Sequence, residues 1–488
     1  MKSKFYITTS IAYTNSDPHL GFALEITQAD VLARYRKTLG EEVFFLTGTD
    51  EHGVKIVKSA EQANKNPKEF VDEISGKFQK LAKEINLSNN DFIRTSDQKK
   101  HWPTVKKVWL QLEKNNDLYK KKYQGLYCPG CEAFITKKDL VDGKCVNHRR
   151  EPEVIEEENY FFRLSKYSKQ IEKLIKNNAI KIIPPSKKKD VLNFIGQGLE
   201  DLSFSRPRID LQWGIPVPND NTQTIYVWSD ALLNYISALG YDKNSPKYKK
   251  FWPADIHCIG KDILKFHAAI FPGMLLALKL PLPKNIFVHG FITVNGQKMS
   301  KTLGNVINPF DLIKTYGADS LRYYLLRELP ASEDGDFSME KFTNRHNGDL
   351  ANGLGNFSAR TLSLASKSTF KINSKTLKSN NASINKKIEL TRKKVGQKIE
   401  QFKFNEALNA IWDLISFGDN YVNKNKIWAI KDEKIKSQKI LDLVVILKNT
   451  AEMLAPFLPA TSEKILKNIK ISKNILKTTK GEILFPRI

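Results

Sequence analysis

The first 46 residues read as a strand, a helix and a second strand, and this order constrains the fold more than any other feature. Residues 5–9 (FYITT) are β-prone, Asp17 is a good helix N-cap, and Pro18 suits a first helical position. Apolar residues then recur at helical spacing up to Gly40, and residues 42–46 (EVFFL) form the second strand. Strands joined in this way pair in parallel, which predicts a doubly wound, Rossmann-like α/β sheet.

The chain is too long for one ordinary hydrophobic core, because its 488 residues exceed the usual size of a single domain. Strand-like segments return at residues 225–228, 256–260 and 286–290. Residues 116–215, which precede these segments, interrupt the alternation of strand-like and helical segments and contain clustered cysteines and an acidic run. From about residue 340 onward the pattern is helical.

These changes of pattern predict four segments. The two halves of one Rossmann-like domain are residues 1–115 and 224–340, separated by an inserted domain at 116–223. Residues 341–488 are predicted to form an all-α C-terminal bundle.

Positive charge is concentrated near the C-terminus. The formal net charge is +25, and residues 361–488 hold 25 Lys and Arg against 11 Asp and Glu. Such a region indicates a polyanionic partner such as RNA, although a solvated lysine-rich face gives the same pattern. No apolar run approaches the roughly 18–20 residues of a membrane helix, and the N-terminus has no signal-peptide pattern. We therefore predict a soluble, cytoplasmic protein without membrane contact.

Three of the four cysteines, Cys128, Cys131 and Cys145, fall within 18 residues, and His148 lies just beyond them. In a cytosolic chain this clustering favours a metal over disulfides. Three thiolates and one imidazole suit one tetrahedral zinc ion (Zn²⁺) in a closed structural site. The fourth cysteine, Cys258, is interpreted as a small buried apolar residue.

Residues 17–21 (DPHLG) form a candidate anion site at the start of the predicted helix. Free backbone N–H groups and the helix dipole point at a ligand there. His19 can donate to a phosphate oxygen, and Gly21 permits close approach of a nucleotide. A capped helix with an incidental histidine would look the same, so this segment alone does not establish a nucleotide site.

Residues 298–302 (KMSKT) lie about 280 residues further on. Lys298 and Lys301 are point charges on long stems, which can follow negative charge as it develops on a phosphoryl group. Together with the first segment they favour a nucleotide-handling site.

In these two segments and in the motifs given below, the chain closely resembles the methionyl-tRNA synthetases of bacterial type with a single zinc knuckle. The resemblance implies activation of methionine with ATP, followed by transfer of the methionyl group to the terminal ribose of tRNA(Met). The motifs that carry it, besides the two segments, are residues 47–53 (TGTDEHG), 127–131 (YCPGC), 213–218 (WGIPVP), 260–263 (GKDI) and 317–324 (GADSLRYY).

The resemblance also implies which residues bind the small substrates. ATP enters with Mg²⁺, and the implied nucleotide contacts are His19, Gly21, Gly260, Asp262, Gly290, Lys298 and Lys301, of which His19 and the two lysines are catalytic. Asp50 takes the methionine ammonium, and the implied side-chain pocket is Ile11, Tyr13, Trp228, Ala231, Tyr235 and His267. Many relatives have a tryptophan at the position near Phe271, so this wall of the implied methionine pocket differs from theirs.

Asn352, Asn356 and Arg360 are spaced by four residues, which predicts one shared helix face. Alone, this pattern is typical of a solvated polar stripe. By resemblance these three residues and Trp428 form the anticodon-binding site, where an indole can stack on a base and amide or guanidinium groups can read it.

One position departs from the family pattern. The first signature of the family ends in a second histidine, and here that residue is Phe22. A phenyl ring cannot donate a hydrogen bond to a triphosphate. We expect the site to remain active because the other residues of the signature are present.

Two alternatives remain at this point. One is a class I synthetase for another amino acid, although a large editing insertion does not fit in 488 residues. The other is a catalytically silent tRNA-binding protein that has kept the fold. Phe22 is the only residue of the signature that favours this alternative. No appended dimerisation domain follows the bundle, so we expect a monomer.

Overall fold

The structure is a computed structural model that describes residues 3–130, 133–135, 139–146, 149–299, 304–366, 368–372, 377–472 and 474–488. It divides into two compact units. The first contains residues 1–18, 40–80 and 89–289, and the second contains residues 19–39, 81–88 and 290–488. None of the described helices is long and apolar enough to cross a membrane.

The strands of the described residues are numbered in chain order. They are β1 (Lys4–Thr9), β2 (Ala12–Tyr13), β3 (Glu42–Asp50), β4 (Asp91–Arg94), β5 (Leu118–Cys128), β6 (Ala133–Ile135), β7 (Leu140–Val141), β8 (Lys144–Cys145), β9 (Glu153–Phe162), β10 (Lys181–Ile183), β11 (Leu202–Ser203), β12 (Ser205–Pro207), β13 (Pro216–Val217), β14 (Asp220–Ile225), β15 (Ile256–Gly260), β16 (Asn285–His289), β17 (Ile292–Val294), β18 (Gln297–Lys298), β19 (Gly335–Phe337), β20 (Thr369–Lys371), β21 (Ile469–Ser472) and β22 (Ile475–Thr478).

The α-helices are numbered in the same way. They are α1 (Leu20–Thr38), α2 (Val54–Gln62), α3 (Pro67–Glu84), α4 (Trp102–Lys114), α5 (Ser168–Lys176), α6 (Pro185–Gly196), α7 (Val227–Ala231), α8 (Asn234–Ser237), α9 (Pro246–Phe251), α10 (Phe271–Ala277), α11 (Pro309–Tyr316), α12 (Ala318–Arg327), α13 (Met339–Arg345), α14 (Asn356–Ala365), α15 (Ala382–Glu400), α16 (Phe404–Asn425), α17 (Glu433–Leu454) and α18 (Pro459–Lys467). Within the described ranges, two segments are π-helical, Phe266–Ile270 and His346–Gly355, and three are 3₁₀-helical, Leu164–Tyr167, Lys261–Ile263 and Ile427–Ala429.

A seven-stranded parallel sheet forms the centre of the first unit. Its order is β10-β16-β15-β1-β3-β2, and β4 also pairs with β3. Ile7 in β1 lies opposite Ile256 on one side and Phe45 on the other, and nearly all of β1 is buried. The strand order reverses between β1 and β15, which confirms the predicted doubly wound sheet. Because the strands are parallel, their carboxyl ends, at Thr9, Asp50, Gly260 and His289, lie along one edge.

Smaller antiparallel sheets occupy the middle of the chain. One has the order β11-β9-β5-β6, another has the order β12-β14-β13, and β7 pairs with β8. The prediction that residues 225–228 form a strand is wrong. Strand β14 ends at Ile225 and helix α7 begins at Val227, because Tyr226 turns the chain and its carbonyl accepts from the N–H of Asp230 at 3.1 Å.

The second unit is predominantly helical. Helices α12 to α18 pack on one another around buried aliphatic and aromatic side chains. The prediction of an all-α C-terminal bundle is nevertheless wrong in one respect, because β20, β22 and β21 form an antiparallel sheet there. Leu476 in β22 is fully buried, so this short sheet adds to the apolar core of the unit.

Helix α1, also in the second unit, begins later than the sequence indicates. Asp17 was predicted to cap it, but the N-cap is His19, whose Nδ1 accepts from the backbone N–H of Gly21 at 3.0 Å. The helix ends before Gly40, which adopts φ of +83° and so stops it as predicted.

Candidate active site

Asp50 lies at the carboxyl end of β3, where ligands of doubly wound sheets bind. Tyr13 in β2 is its register partner, and Thr14 donates from both its N–H and its Oγ1 to the Asp50 carbonyl oxygen at 3.0 Å. The Asp50 side chain is 7% exposed, and one of its carboxylate oxygens accepts from Thr95 Oγ1 at 3.4 Å. A carboxylate with little solvent around it attracts a cationic ligand more strongly than one in water.

Tyr235 and His267 form a buried hydrogen-bonded pair, with 2.7 Å between Tyr235 Oη and His267 Nε2. The other ring nitrogen, Nδ1, lies 3.1 Å from the carbonyl oxygen of Ile263, which can only accept. Nδ1 therefore carries the proton and Nε2 accepts from the tyrosine hydroxyl. Burial lowers the pKa of His267 to about 4, so the ring is neutral at pH 7. The hydroxyl of Tyr235 is thus held in one orientation.

Aromatic side chains complete the apolar part of this region. The Trp228 indole stacks on Phe266, with ring centroids 3.7 Å apart and 13° between the planes. Phe271 is fully buried, 5.6 Å from the Tyr235 ring. Ile11 is half-buried against the same core, and Ala231 is buried at the end of α7. A short aromatic wall with small neighbours suits an unbranched apolar side chain.

The residues at the end of β15 approach each other closely. A Cβ on Gly260 would lie 2.7 Å from Asp262 Oδ1 and 3.7 Å from His289 Cε1, so a larger residue here would displace the exposed Asp262 carboxylate. Asp262 is exposed in the 3₁₀ turn Lys261–Ile263 that follows the strand. A carboxylate in this position, at the carboxyl edge of the sheet, can accept from sugar hydroxyls.

In the second unit, His19 presents a neutral imidazole at the start of α1. Its Nδ1 accepts from the Gly21 N–H, so the proton of the neutral ring lies on Nε2. The ring reaches solvent, yet the protein atoms around it desolvate it and lower its pKa below the ordinary value. A Cβ on Gly21 would lie 2.7 Å from His19 Cε1, so the glycine makes room for this ring. Nε2–H can therefore serve as a donor.

Phe22 follows on the same helix and is 8% exposed, so its ring is part of the buried side of α1. A histidine in this orientation would exchange apolar packing for a polar ring.

A tight hairpin leads into the lysine segment. Strand β17 turns into β18 through Asn295 and Gly296, which adopt φ of +52° and +74°, as a type I′ turn requires. Asp336 Oδ1 accepts from Gly296 N–H and from Thr293 Oγ1, both at 2.7 Å, and the first of these bonds contributes most to lowering the pKa of Asp336. Lys298 lies in β18, and Lys301 lies outside the described residues.

Gly290 precedes this hairpin in the chain and admits no side chain. A Cβ at this position would lie 2.0 Å from the carbonyl oxygen of Glu333. The neighbouring Phe291 N–H donates to Asp334 Oδ1 at 2.9 Å, which holds the two segments together. The predicted nucleotide contact at Gly290 is therefore also a packing requirement within the second unit.

Two of the four predicted zinc ligands are described, and they lie together. Cys128 and Cys145 are buried in one small cluster with Ile135. The other two, Cys131 and His148, lie outside the described residues. Within the described ranges, no three His, Cys, Asp or Glu side chains form a metal-binding group. A pair of buried thiols with no disulfide between them fits a zinc site chemically.

The predicted anticodon residues are all accessible to solvent. Arg360 stands over the Trp428 indole at 5.2 Å from the ring centre, and the indole is 55% exposed. Asn352 and Asn356 are exposed, but Asn352 belongs to the π-helix His346–Gly355 and Asn356 begins α14. The prediction of one shared α-helical face, which assumes a four-residue spacing, therefore applies to Asn356 and Arg360 but not to Asn352.

Comparison with known proteins decides the family. Residues 5–151 and 135–362 match the family described as tRNA synthetases class I (M), and residues 381–484 match the anticodon-binding domain of tRNA ligase. The chain belongs to the class I methionyl-tRNA synthetases.

Individual relatives match over the whole of this chain. The methionine–tRNA ligase of Clostridium acetobutylicum is 43% identical over 509 residues, spanning 100% of this chain and 78% of that protein. That of Caldanaerobacter subterraneus subsp. tengcongensis is 41% identical over 514 residues, spanning 100% and 79%. The solved methionyl-tRNA synthetase of Mycobacterium tuberculosis in complex with methionyl-adenylate superposes with a TM-score of 0.91 at 33% identity and 100% coverage of both chains.

Sequence reasoning missed two elements of this synthetase. Phe266, which stacks on Trp228, lies within a π-helical turn that has no local sequence signature. The hairpin before the lysine segment could have been found, because Asn295-Gly296 is the strongest short-range signal for a type I′ turn.

Proposed function

We propose that this synthetase activates L-methionine with ATP, releasing diphosphate, and transfers the methionyl group to the 3′-terminal ribose of tRNA(Met) for initiation and elongation. The observation that carries the proposal is Asp50, a nearly buried carboxylate at the carboxyl end of a central parallel strand. It is suited to an α-ammonium group. The oriented Tyr235 hydroxyl and the Trp228–Phe266 stack lie in the same unit and suit a thioether side chain.

In this proposal the reaction is a direct displacement. A carboxylate oxygen of methionine attacks the α-phosphorus of ATP, which enters with Mg²⁺, and the bond to the diphosphate oxygen breaks. His19 donates from Nε2 to a phosphate oxygen, and Lys298 and Lys301 stabilise the charge that develops on the phosphates. Gly21, Gly260 and Gly290 allow close approach.

The remaining nucleotide and amino-acid contacts in this proposal are those that the resemblance to the family implies. Asp262 accepts from the ribose hydroxyls. Ile11, Tyr13 and Ala231 line the side-chain slot together with Trp228 and His267. No covalent enzyme intermediate is needed, so the protein acts by positioning and by charge stabilisation.

We further propose one structural zinc held by Cys128, Cys131, Cys145 and His148. Four protein ligands leave no open position, so the ion supplies folding energy to the inserted domain and no direct chemistry.

For tRNA, we propose that Asn352, Asn356, Arg360 and Trp428 meet the anticodon. An exposed indole beneath a guanidinium is a stacking platform for a single-stranded base. The surrounding lysines bind phosphates, so affinity falls with salt. The proposal includes a monomeric cytoplasmic enzyme with catalytic halves at 1–115 and 224–340, a connective insertion at 116–223 and the anticodon-binding segment at 341–488.

The decisive experiment is amino-acid-dependent ATP–diphosphate exchange across the twenty amino acids, without tRNA. We expect exchange with methionine alone. Asp50→Asn should lower methionine-dependent exchange by about two orders of magnitude or more, because the buried ammonium loses its counter-charge. No exchange from folded wild-type protein, with tRNA(Met) binding retained, would overturn the proposal in favour of a tRNA-binding protein.

A further inference from the structure

A buried carboxylate in the first unit is shared between two histidines. Asp230 Oδ2 lies 2.6 Å from His52 Nδ1, and Asp230 Oδ1 lies 2.7 Å from His101 Nε2. All three side chains are almost fully buried. The far nitrogen of His101, Nδ1, lies 2.7 Å from Ser237 Oγ. Each carboxylate oxygen of Asp230 is thus hydrogen-bonded to one imidazole ring.

The charge on Asp230 fixes the protons of both rings. Burial alone would raise the pKa of Asp230, but the attraction and hydrogen bonds of His52 and His101 outweigh burial and hold the pKa below its ordinary value. An ionised carboxylate only accepts hydrogen bonds. His52 therefore donates from Nδ1 and His101 donates from Nε2, so neither ring can turn over without losing its bond.

His52 lies in the short loop that follows the proposed ammonium ligand. It follows Asp50 by two residues, and the loop is held on its other side by Trp213, whose Nε1 donates to the Glu51 carbonyl oxygen at 2.5 Å. The His52 ring makes edge-to-face contacts with the Trp213 and Trp102 rings, at centroid distances of 5.7 and 6.0 Å. The orientation of His52 therefore constrains the backbone that carries Asp50.

Asp230 also belongs to an element of the proposed pocket. It lies in the short helix α7, between the proposed pocket residues Trp228 and Ala231. The hydrogen bond between Asp230 and His52 therefore links the wall that contacts the side chain with the loop that binds the ammonium group. His101, at the start of α4, anchors the carboxylate from a third segment.

We propose that Asp230 is a positioning residue that sets the spacing between the Asp50 carboxylate and the Trp228–Ala231 wall, and so determines the affinity for methionine but not for ATP. The inference rests on the proposed function. Burying a carboxylate between two imidazoles stabilises the core less than apolar side chains would, because the charged group loses its hydration. Its geometric value is that two short, charge-assisted hydrogen bonds fix a distance more tightly than apolar packing does.

The test is Asp230→Asn in methionine-dependent ATP–diphosphate exchange. Asparagine has the same shape but only one accepting oxygen, so one of the two imidazole N–H groups loses its acceptor. We expect the KM for methionine to rise by about 10- to 100-fold, the size of effect that a small mismatch between a substrate and its pocket has. The KM for ATP and the kcat at saturating methionine should stay within about threefold.

The matched control is Asp255→Asn. Asp255 is also a nearly buried carboxylate of the first unit, but it precedes β15 and so lies at the amino edge of the sheet, where it accepts from the Tyr6 N–H at 2.8 Å. This variant should leave the KM for methionine unchanged even if its melting temperature falls.

If Asp230→Asn does not fold, Ser237→Ala provides the test, since it removes the outer partner of His101 together with a longer hydrogen bond to the Asn234 carbonyl oxygen at 3.2 Å. We expect the KM for methionine to rise several-fold and the KM for ATP to stay unchanged. A methionine KM unchanged in the folded variant, or an equal rise in both KM values, would overturn the inference while leaving the proposed function intact. Absence of exchange in the wild type would instead remove the proposed function.

Discussion

The guanidinium of Arg487 donates two hydrogen bonds to the side-chain oxygen of Asn352, one from Nε at 2.7 Å and one from Nη2. Arginine has no acceptor, so the amide of Asn352 must turn its oxygen towards Arg487. The Nδ2 group then faces away from Arg487. Asn352 is therefore oriented as a donor, which suits an acceptor on a base edge.

We predict that Arg487→Ala raises the KM for tRNA(Met) in aminoacylation by about three- to tenfold, since a released amide rotates freely and loses roughly 1 kcal/mol of hydrogen bonding. Arg487→Lys keeps the charge but not the paired donors, so it should restore little. Lys470→Ala, at an exposed lysine of β21, is the control for lost positive charge. Equal effects of the arginine and lysine removals would show a purely electrostatic role. Exchange without tRNA should not change.

Phe22→His should leave the rate of methionine-dependent exchange within about threefold of wild type. The ring at this position is buried, so a histidine there gains little access to a nucleotide. Placing a polar ring in apolar surroundings should also lower the free energy of unfolding by about 1–3 kcal/mol. Phe22→Leu is the control for size, and a rise in rate of tenfold or more in the histidine variant would contradict the prediction.

Asp30 and Arg322 form a fully buried ion pair in the second unit, with 2.8 Å between Oδ2 and Nη2. Arg322→Met leaves Asp30 with less compensation and should lower the free energy of unfolding by about 3–5 kcal/mol in a denaturant titration. Arg345→Met, at a partly exposed arginine that pairs with Glu328, should cost only about 0–1 kcal/mol. Similar losses in the two variants would mean that burial of the pair is not what matters.

His267 should make the fold less stable as the pH falls. Its pKa is lowered to about 4 by burial, whereas the unfolded chain has the ordinary value near 6.5. Between these values the unfolded state binds more protons, so stability is complete above pH 6.5 and declines as the pH falls towards 4, by at most about 1.4 kcal/mol per pH unit. Melting temperatures of wild type and His267→Gln across this range test it, and identical slopes would refute it.

Metal analysis of the purified protein should find one zinc per chain. The Cys128→Ser/Cys145→Ser variant should lose that zinc, because thiolates are much better zinc ligands than hydroxyls. Cys258→Ser is the matched control, since Cys258 is equally buried but lies in β15 and belongs to no cysteine cluster. Zinc retained in the double variant would exclude the proposed ligand set.

The central sheet could be predicted from sequence because its strands are apolar runs that end in characteristic turns. Residues 256–260 and 286–290 are such runs, and the strands end at Gly260 and His289. The cap of α1 was missed because capping preferences favour Asp17, whereas the imidazole of His19 reaches the free N–H group. That choice depends on ring geometry, which composition does not encode.

Other errors have a long-range origin. Strand β20 pairs with β22 about a hundred residues later in the chain, so three-residue stretches such as Thr369–Lys371 gain their strand conformation from a distant partner. The buried arrangement around Asp230 is equally invisible, because His52 and His101 are far from it in sequence. Lys301, Cys131 and His148 lie outside the described residues, so their predicted roles stay predictions.

The π-helix His346–Gly355 has a consequence for comparing sequences across this family. A π-helical stretch accommodates an additional residue that an α-helix of the same span lacks, so relatives can differ there by one residue without any change in the flanking helices. An alignment that places such a gap on the wrong side of Asn352 would pair it with a residue on another face. Anticodon specificity inferred from aligned columns is therefore sound only when gaps in this stretch are placed by superposed backbones.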